Sequence, residues 1–178
     1  MTTQGEKQDV FSRLEGLFIA NPSISCYRDE DKNVFFVEQF LSLDKKVYTT
    51  VIRSKAGYST VTMLMPPIEV PEESVGRVMG FMNDRNSKYI RGCLVLDKNR
   101  CVRFDNYIPL DDGDSVSDGT LLTEVLLGTR ILLQTVGDVL SVIDGEEVED
   151  NTVNRRDVES ETYVPKKELP ADAGAMYR

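Results

Sequence analysis

The chain has 178 residues, of which 40% are hydrophobic and 29% are charged, and its net charge is −9. This composition is typical of a soluble globular protein with one domain and some additional chain. The negative charge argues against nucleic acid as a partner, because binding to a phosphate backbone depends on basic side chains. We therefore expect that nucleic acid is not the partner of this protein.

The number of cysteines and the apolar pattern predict a cytoplasmic location. Three cysteines without paired spacing indicate neither a disulfide framework nor a zinc site, which favours a reducing compartment. We find no signal-peptide pattern at the N-terminus. The most apolar stretch, Leu121 to Val142, is interrupted by Glu124, Arg130 and Asp138, so we expect no membrane span.

The first half of the chain predicts a helix followed by an antiparallel meander. Glu6 to Ala20 has the apolar spacing of an amphipathic helix. Ile24 to Arg28 is a candidate edge strand. Three further strands are predicted at Val34 to Leu43, Val47 to Arg53 and Tyr58 to Met65. Their short connections predict antiparallel neighbours.

A second helix is predicted from Pro71 to about Asn86. Proline suits the first helical position, and Glu72 and Glu73 suit the first turn because they complement the helix dipole. The predicted core stripe of this helix consists of Val75, Val78, Met79 and Met82.

Gly76 and Gly80 lie four residues apart in this helix, where each costs about 1 kcal/mol relative to alanine. Close approach of another backbone would offset that cost. Two interpretations stay open, namely packing on the protein's own sheet and contact with a second subunit. With Met79 and Asn83, these glycines form a candidate subunit or partner contact.

The segments 90–97 and 100–107 form a predicted hairpin around the two-residue loop Lys98-Asn99. With this register, Cys93 is opposite Phe104. The predicted core face is wholly apolar and consists of Cys93, Val95, Val102 and Phe104. The mixed face consists of Leu94, Leu96, Cys101 and Arg103, of which Leu94, Leu96 and Arg103 are candidate partner contacts. Cys93 and Cys101 would then lie on opposite sides of the sheet as free thiols.

An acidic loop, Pro109 to Asp118, precedes a long predicted helix. The loop lacks the glycine and the glutamate that an EF-hand requires, so we predict no metal site. Ser115 is the predicted cap of a helix from about Asp118 to Ile143, with Gly145 in a left-handed conformation at its end. Gly128 and Gly137 are candidate bend points of this helix.

The domain organisation follows from a change in composition after this helix. Residues 1–145 are predicted to be a single α+β domain. Residues 146–178 are rich in charge and contain Pro165 and Pro170, which predicts a flexible acidic tail that the fold does not need.

The order of these elements resembles the secretion-chaperone fold, an α+β fold with an antiparallel sheet in the order helix, three strands, helix, two strands, long helix. At residue level the chain resembles the YbjN-like family of bacterial sensory transduction regulators between Val34 and Gly145. The matching segments are Pro67 to Glu73, Met82 to Asn86, Gly92 to Asp97, and Val102-Arg103-Phe104. The acidic run Asp111 to Val116 departs from the family pattern, and the tail lies outside it. The resemblance implies a homodimeric, non-enzymatic domain that binds other polypeptides.

The sequence lacks the usual residues of catalysis. It contains no histidine, no nucleophile elbow, no phosphate-binding loop and no dinucleotide fingerprint. Without a histidine partner, Cys101 is expected to be an inert thiol. We predict no enzyme, no catalytic residue and no cofactor. The leading hypothesis is a chaperone- or adaptor-like protein-binding module, and the alternative is a cytosolic regulator that binds a small ligand between the long helix and the sheet.

Overall fold

A computed structural model describes residues 9–54, 57–89, 91–109 and 117–148. These residues form three helices and six strands. The elements are α1 (Val10–Phe18), β1 (Ile24–Asp29), β2 (Val34–Ser42), β3 (Lys45–Arg53), β4 (Gly57–Met65), α2 (Val75–Asn86), β5 (Cys93–Leu96), β6 (Val102–Pro109) and α3 (Asp118–Asp144).

The six strands form one antiparallel sheet with the order β1-β2-β3-β4-β6-β5. The predicted α+β class and the predicted order of elements are confirmed, and β1 is the edge strand that the sequence indicated. After β4 the chain passes through α2 and returns to the sheet as the β5–β6 hairpin. The second strand of this hairpin, β6, pairs with β4. The short strand β5 therefore forms the other edge.

The helices pack on one face of the sheet, which we call the core face. A row across all six strands defines it, consisting of Cys26, Val37, Thr49, Thr62, Phe104 and Leu94. Side chains of this face pack in two clusters, one with α1 and the first half of α3, the other with α2 and the second half of α3. The long helix α3 thus spans both halves of the core.

The hairpin register differs by one residue from the predicted one. Leu94 pairs with Phe104, and Cys93 pairs with Asp105. The loop has three residues, because the Asp97 amide donates to the Cys101 carbonyl at 3.0 Å. A loop of this length needs a left-handed residue at its end, and Arg100 supplies it with φ of 60°.

This one-residue change exchanges the two faces of β5. Leu94 is 3% exposed and lies in the core with Phe104, whereas Cys93 shares the opposite face with Arg103. Strand alternation places Cys101 on that same side, so the predicted separation of the two thiols by the sheet is wrong. All three cysteines are nevertheless free. Cys93 and Cys101 are about 13 Å apart along the strand, which is too far for a disulfide.

The glycines of α2 do not pack on the sheet. A Cβ atom built on Gly76 or Gly80 meets no atom of the described residues within 4 Å, so the interpretation of tight packing on the protein's own sheet is wrong for both. Met79 is 47% exposed, so the prediction that it belongs to the core stripe of α2 is wrong. The close approach lies instead at Gly128 of α3, where a Cβ atom would overlap the Thr62 side chain.

The ends of α2 and α3 are fixed by specific contacts. A short 3-10 turn, Glu72–Ser74, precedes α2, so the α-helix begins four residues after Pro71. Ser117 caps α3 by accepting a 3.1 Å hydrogen bond from the Thr120 amide, in place of the predicted Ser115. Gly145 ends α3 with φ of 83°, as predicted.

Some predicted segments lie outside the described residues, namely 1–8, most of the acidic loop (110–116) and the tail from 149 onwards. Val148 packs against the second cluster, which extends the described fold beyond the predicted boundary at residue 145.

By length and composition α3 is apolar enough to cross a membrane, with a mean hydropathy of 1.5 over an 18-residue window. Core helices of soluble proteins meet the same conditions, and α3 lies on the sheet.

Candidate binding surface on the sheet

The face of the sheet opposite the helices, which we call the outer face, is rich in apolar side chains. One row across all six strands consists of Tyr27, Phe36, Thr50, Val61, Asp105 and Cys93. None of the helices in the described part of the chain packs on this row. Tyr27 is 47% exposed and Tyr107 is 46% exposed. The outer face therefore presents aromatic side chains to solvent.

Three aromatic residues form a cluster across β1, β2 and β3. The ring centroids of Tyr27 and Phe36 are 4.6 Å apart, and those of Phe36 and Tyr48 are 5.6 Å apart. Such contacts follow from the register, because cross-strand neighbours and diagonal neighbours both lie within reach of aromatic rings. The hydroxyl groups of Tyr27 and Tyr48 share a hydrogen bond of 2.6 Å. Burial, together with this hydrogen bond, raises the pKa of Tyr48, so its hydroxyl stays protonated.

The acidic residues of the outer face are paired with basic ones. Lys46 donates to Glu38 at 2.6 Å, and Arg103 donates to Asp105 at 2.9 Å. At the end of β1, Asp29 accepts a 2.8 Å hydrogen bond from Lys32 of the following turn. The outer face thus has three such pairs of opposite charge, although the whole chain has a net charge of −9.

A depression of about 540 Å³ lies on the outer face between β4, β6 and the segment before β5. Its lining includes Val61, Cys93, Asp105 and Tyr107. Arg91, also in the lining, forms an ion pair with Glu124 of α3. The depression therefore has a mixed apolar and polar wall, and its two charged groups, Asp105 and Arg91, are both in ion pairs.

The thiols of the described residues are not activated. Burial, with a smaller contribution from Asp105, raises the pKa of Cys93. Burial also raises the pKa of Cys101 and Cys26, where nearby carboxylates act in the same direction. A thiolate is the nucleophilic form, so these cysteines are poor nucleophiles near neutral pH.

The β5 edge of the sheet is closed by a side chain that the sequence did not single out. The Asn86 amide donates to the Leu94 carbonyl at 2.9 Å and accepts from the Leu94 amide at 2.7 Å. Asn86 thus satisfies both outward backbone groups of Leu94, which an added strand would need. The β5 edge is therefore unsuited to strand addition, and the outer face is the better candidate surface.

The predicted contact residues do not form one site. Gly76, Met79, Gly80 and Asn83 are exposed on α2, on the helical side of the sheet. Leu94 is buried and Leu96 is partly buried in the second core cluster. Only Arg103 lies on the outer face.

Sequence reasoning missed Tyr27, Phe36, Tyr48 and Tyr107 as surface residues. The signal was present in β2, where Phe35 and Phe36 are adjacent and must point to opposite faces. A strand that is apolar on both faces indicates either a second covered face or a binding surface.

No metal centre is found in the ranges that the structure describes, because they contain no suitable group of three His, Cys, Asp or Glu side chains. Comparison with protein-family models, with curated proteins and with solved structures finds no match to this chain. The resemblance to the YbjN-like family and to secretion chaperones therefore stays a prediction.

Proposed function

We propose that this protein is a homodimeric, non-enzymatic binding module that recognises an apolar segment of a partner protein on the outer face of its sheet. One observation supports this function above the others, namely an outer face that is rich in exposed aromatic side chains and that no described helix covers. The solvated face of an antiparallel sheet is normally polar, with apolar residues only on the core side. Large exposed apolar patches on soluble proteins usually mark interaction sites.

The chemistry of the outer face favours a polypeptide as its partner. Aromatic side chains such as Tyr27 and Tyr107 are enriched in protein interfaces because they combine a large apolar surface with a polar group. The paired charges of the face give no basic patch that would attract a phosphate backbone. The raised pKa of each cysteine and the lack of histidine support a binding role over catalysis.

The alternative function is that of a cytosolic regulator that binds a small ligand. The sequence predicts such a ligand between α3 and the sheet, but Gly128 of α3 lies in close contact with Thr62 and Phe104 there. The depression near Cys93 and Tyr107 favours the outer face for a ligand as well, since its volume of about 540 Å³ is within the range of ligand pockets.

Peptide selection on the purified protein tests the proposal. A random library of short peptides is selected against the full chain, and the peptides obtained are mapped by chemical-shift perturbation. We expect apolar and aromatic peptides whose perturbations lie on β1 to β4 and β6. Tyr107→Lys should weaken their binding by about tenfold, because it places an unpaired charge in the contact.

Met79→Lys is the matched control, since Met79 has almost the same exposure but lies on α2. Its binding should be unchanged. Peptides that bind equally to the Tyr107→Lys variant, or that perturb α2 instead, would contradict the proposal. Native mass spectrometry of the purified chain tests the alternative function. That function requires a small molecule bound to the natural chain, and the same molecule should be lost from the Tyr107→Lys variant.

A further inference from the structure

The long helix α3 has a second apolar stripe beside the one that packs on the sheet. The sheet-facing stripe is buried and consists of Leu121, Val125, Gly128, Leu132, Thr135 and Val139. One residue further round the helix lies a flank with the same heptad spacing, consisting of Leu122, Leu126, Thr129, Leu133, Val136 and Leu140. Alternating steps of three and four residues are the pattern of a helix that packs along another helix.

Helix α1 covers only the first half of this flank. It has nine residues and is about 13 Å long, whereas α3 has 27 residues and is about 40 Å long. Leu122 and Leu126 pack against the cluster that contains the buried residues of α1. Beyond the end of α1, Leu133, Val136 and Leu140 belong to neither core cluster of the described residues. Leu133 and Val136 are partly buried, and Leu140 is 47% exposed.

The uncovered half of the flank also contains Gly137. This glycine is exposed, and a Cβ atom built on it meets nothing within 4 Å in the part of the chain that the structure describes. With Leu133, Val136 and Leu140 it completes the spacing i, i+3, i+4, i+7 on one helix face. Gly137 therefore gives this face a notch at its centre, between two leucines.

We infer that the uncovered flank is the subunit contact, and that it pairs antiparallel with α3 of a second copy. The pattern Leu133, Val136, Gly137, Leu140 is symmetric about its midpoint. An antiparallel two-fold axis there places Leu133 opposite Leu140 of the second copy, and Val136 opposite the Gly137 notch. Such self-complementarity is what a two-fold interface between identical chains requires.

The charges at the ends of the flank select the same direction. Arg130 precedes the apolar pattern, and Asp144 follows it. Antiparallel pairing brings the Arg130 end of one helix next to the Asp144 end of the other. Parallel pairing would instead place like charges side by side, which is unfavourable.

This inference rests on the homodimer of the proposed function and names its contact. The face spans about two helical turns, so it is smaller than the ~800 Å² per subunit of a standard interface. We therefore expect a dimer that dissociates on dilution. Since the helices lie on the core side of each sheet, both outer faces stay free for partner segments in such a dimer.

Cysteine cross-linking of the full chain tests the contact and its direction. Leu133→Cys and Leu140→Cys are prepared separately and oxidised alone or as a mixture, with the natural chain and its three cysteines as the background. We expect a covalent dimer in the mixture and none above background in either variant alone. Covalent dimers in each single variant would indicate parallel pairing and overturn the inference, as would the lack of any cross-link.

Sedimentation of Gly137→Leu gives a second, independent measurement. A Cβ atom at this position meets none of the described residues within 4 Å, but the leucine side chain would clash with Val136 of the second copy. We expect dimerisation to weaken by about tenfold or more while the melting temperature does not fall. Gly76→Leu is the matched control, because Gly76 is also an exposed helical glycine with open space around it.

The outcomes separate this inference from the proposed function. If Gly76→Leu dissociates the dimer and Gly137→Leu does not, the subunit contact lies on α2 and the inference is overturned. A full chain that is monomeric at every concentration also overturns it, because the flank is then covered by its own chain or by another partner. The monomeric Gly137→Leu variant should still bind the selected peptides. A loss of peptide binding that occurs in Tyr107→Lys and not in Gly137→Leu therefore tests the proposed function and not the subunit contact.

Discussion

Asn106 of β6 donates a 2.8 Å hydrogen bond to Glu124 of α3, and both side chains are buried. Glu124 also forms an ion pair with Arg91, which lies just before β5. The side-chain oxygen of Asn106 accepts a 2.9 Å hydrogen bond from the backbone N–H of Tyr107. This partly buried network links the long helix, the sheet and the segment that lines the outer depression.

We expect Asn106→Ala to destabilise the fold. The substitution removes one partner of a carboxylate that is only 7% exposed, and it leaves the Tyr107 amide without its acceptor. Loss of a partner for buried polar groups costs about 1–3 kcal/mol. Urea unfolding measures the free energy of unfolding. Asn83→Ala, on the exposed face of α2, should stay within about 0.5 kcal/mol of the natural chain. Equal losses in both variants would show that the network contributes nothing specific.

The glycines of α2 and α3 should respond to alanine in opposite directions. At Gly128 a Cβ atom overlaps Thr62, and overpacking costs about 1–3 kcal/mol, more than the gain in helix propensity. At Gly80 the space is open, so Gly80→Ala should stabilise the chain by up to about 1 kcal/mol. Thermal unfolding of the two variants gives the signs. A stabilising Gly128→Ala would mean that α3 can move away from β4 at little cost.

These glycines also show what the sequence can and cannot predict. Each one costs helix propensity, and from this cost the sequence predicts a compensating close contact, which the structure shows at Gly128 but not at Gly80. Which glycine meets a neighbour depends on the rotation of the helix over the sheet, and Gly80 and Gly128 have the same local signal. The helices and strands themselves follow from local periodicity and capping, so their order was predicted.

The hairpin register was mispredicted for a tertiary reason. A three-residue loop is normally marked by glycine at its left-handed position, and here that position is Arg100. The Arg100 side chain donates a 3.0 Å hydrogen bond to the Val70 carbonyl, and the Val70 amide donates to the Arg100 carbonyl at 2.8 Å. These contacts with the segment before α2 stabilise a conformation that the loop sequence alone does not favour. The candidate contact residues Leu94 and Leu96 were assigned to the wrong face for the same reason.

The three cysteines should react slowly in the folded protein and completely in the unfolded one. Since burial raises the pKa of each thiol, the thiolate fraction is low at neutral pH and increases as the pH rises. Alkylation of the folded chain should therefore be slower than that of free cysteine at pH 7–8. Counting thiols on unfolded, non-reduced protein should give three. A count of one would reveal a disulfide and contradict the described geometry.

Tyr89 should make the stability sensitive to high pH. Burial raises the pKa of Tyr89 to about 12, and its ring packs edge-on against Phe104 at 5.9 Å between centroids. In the unfolded chain this hydroxyl ionises near pH 10, so its contribution to the free energy of unfolding is fully present below that pH. It is lost as the pH rises through about 12.

The matched variant is Tyr89→Phe, which keeps the ring and removes the titrating group. Urea unfolding at several pH values should give parallel stabilities for the two chains below pH 10. Above pH 10 the natural chain should lose about 1–3 kcal/mol relative to the variant. Curves that stay parallel up to pH 12 would show that Tyr89 ionises as readily in the folded state as in the unfolded one.

The boundary of the fold gives the last prediction. Val148 packs against the second core cluster, and the Glu146 amide donates to the Ser141 carbonyl at 2.9 Å just beyond the helix cap. Shortening the chain after Gly145 removes both contacts, and we expect a loss of about 1–2 kcal/mol from the apolar contact and the hydrogen bond. Shortening it after Val148 keeps both, so the melting temperature should equal that of the full chain. Equal stability of the two shortened chains would place the boundary at the helix cap, as the sequence predicted. A loss in the longer one as well would mean that residues after 148 stabilise the domain.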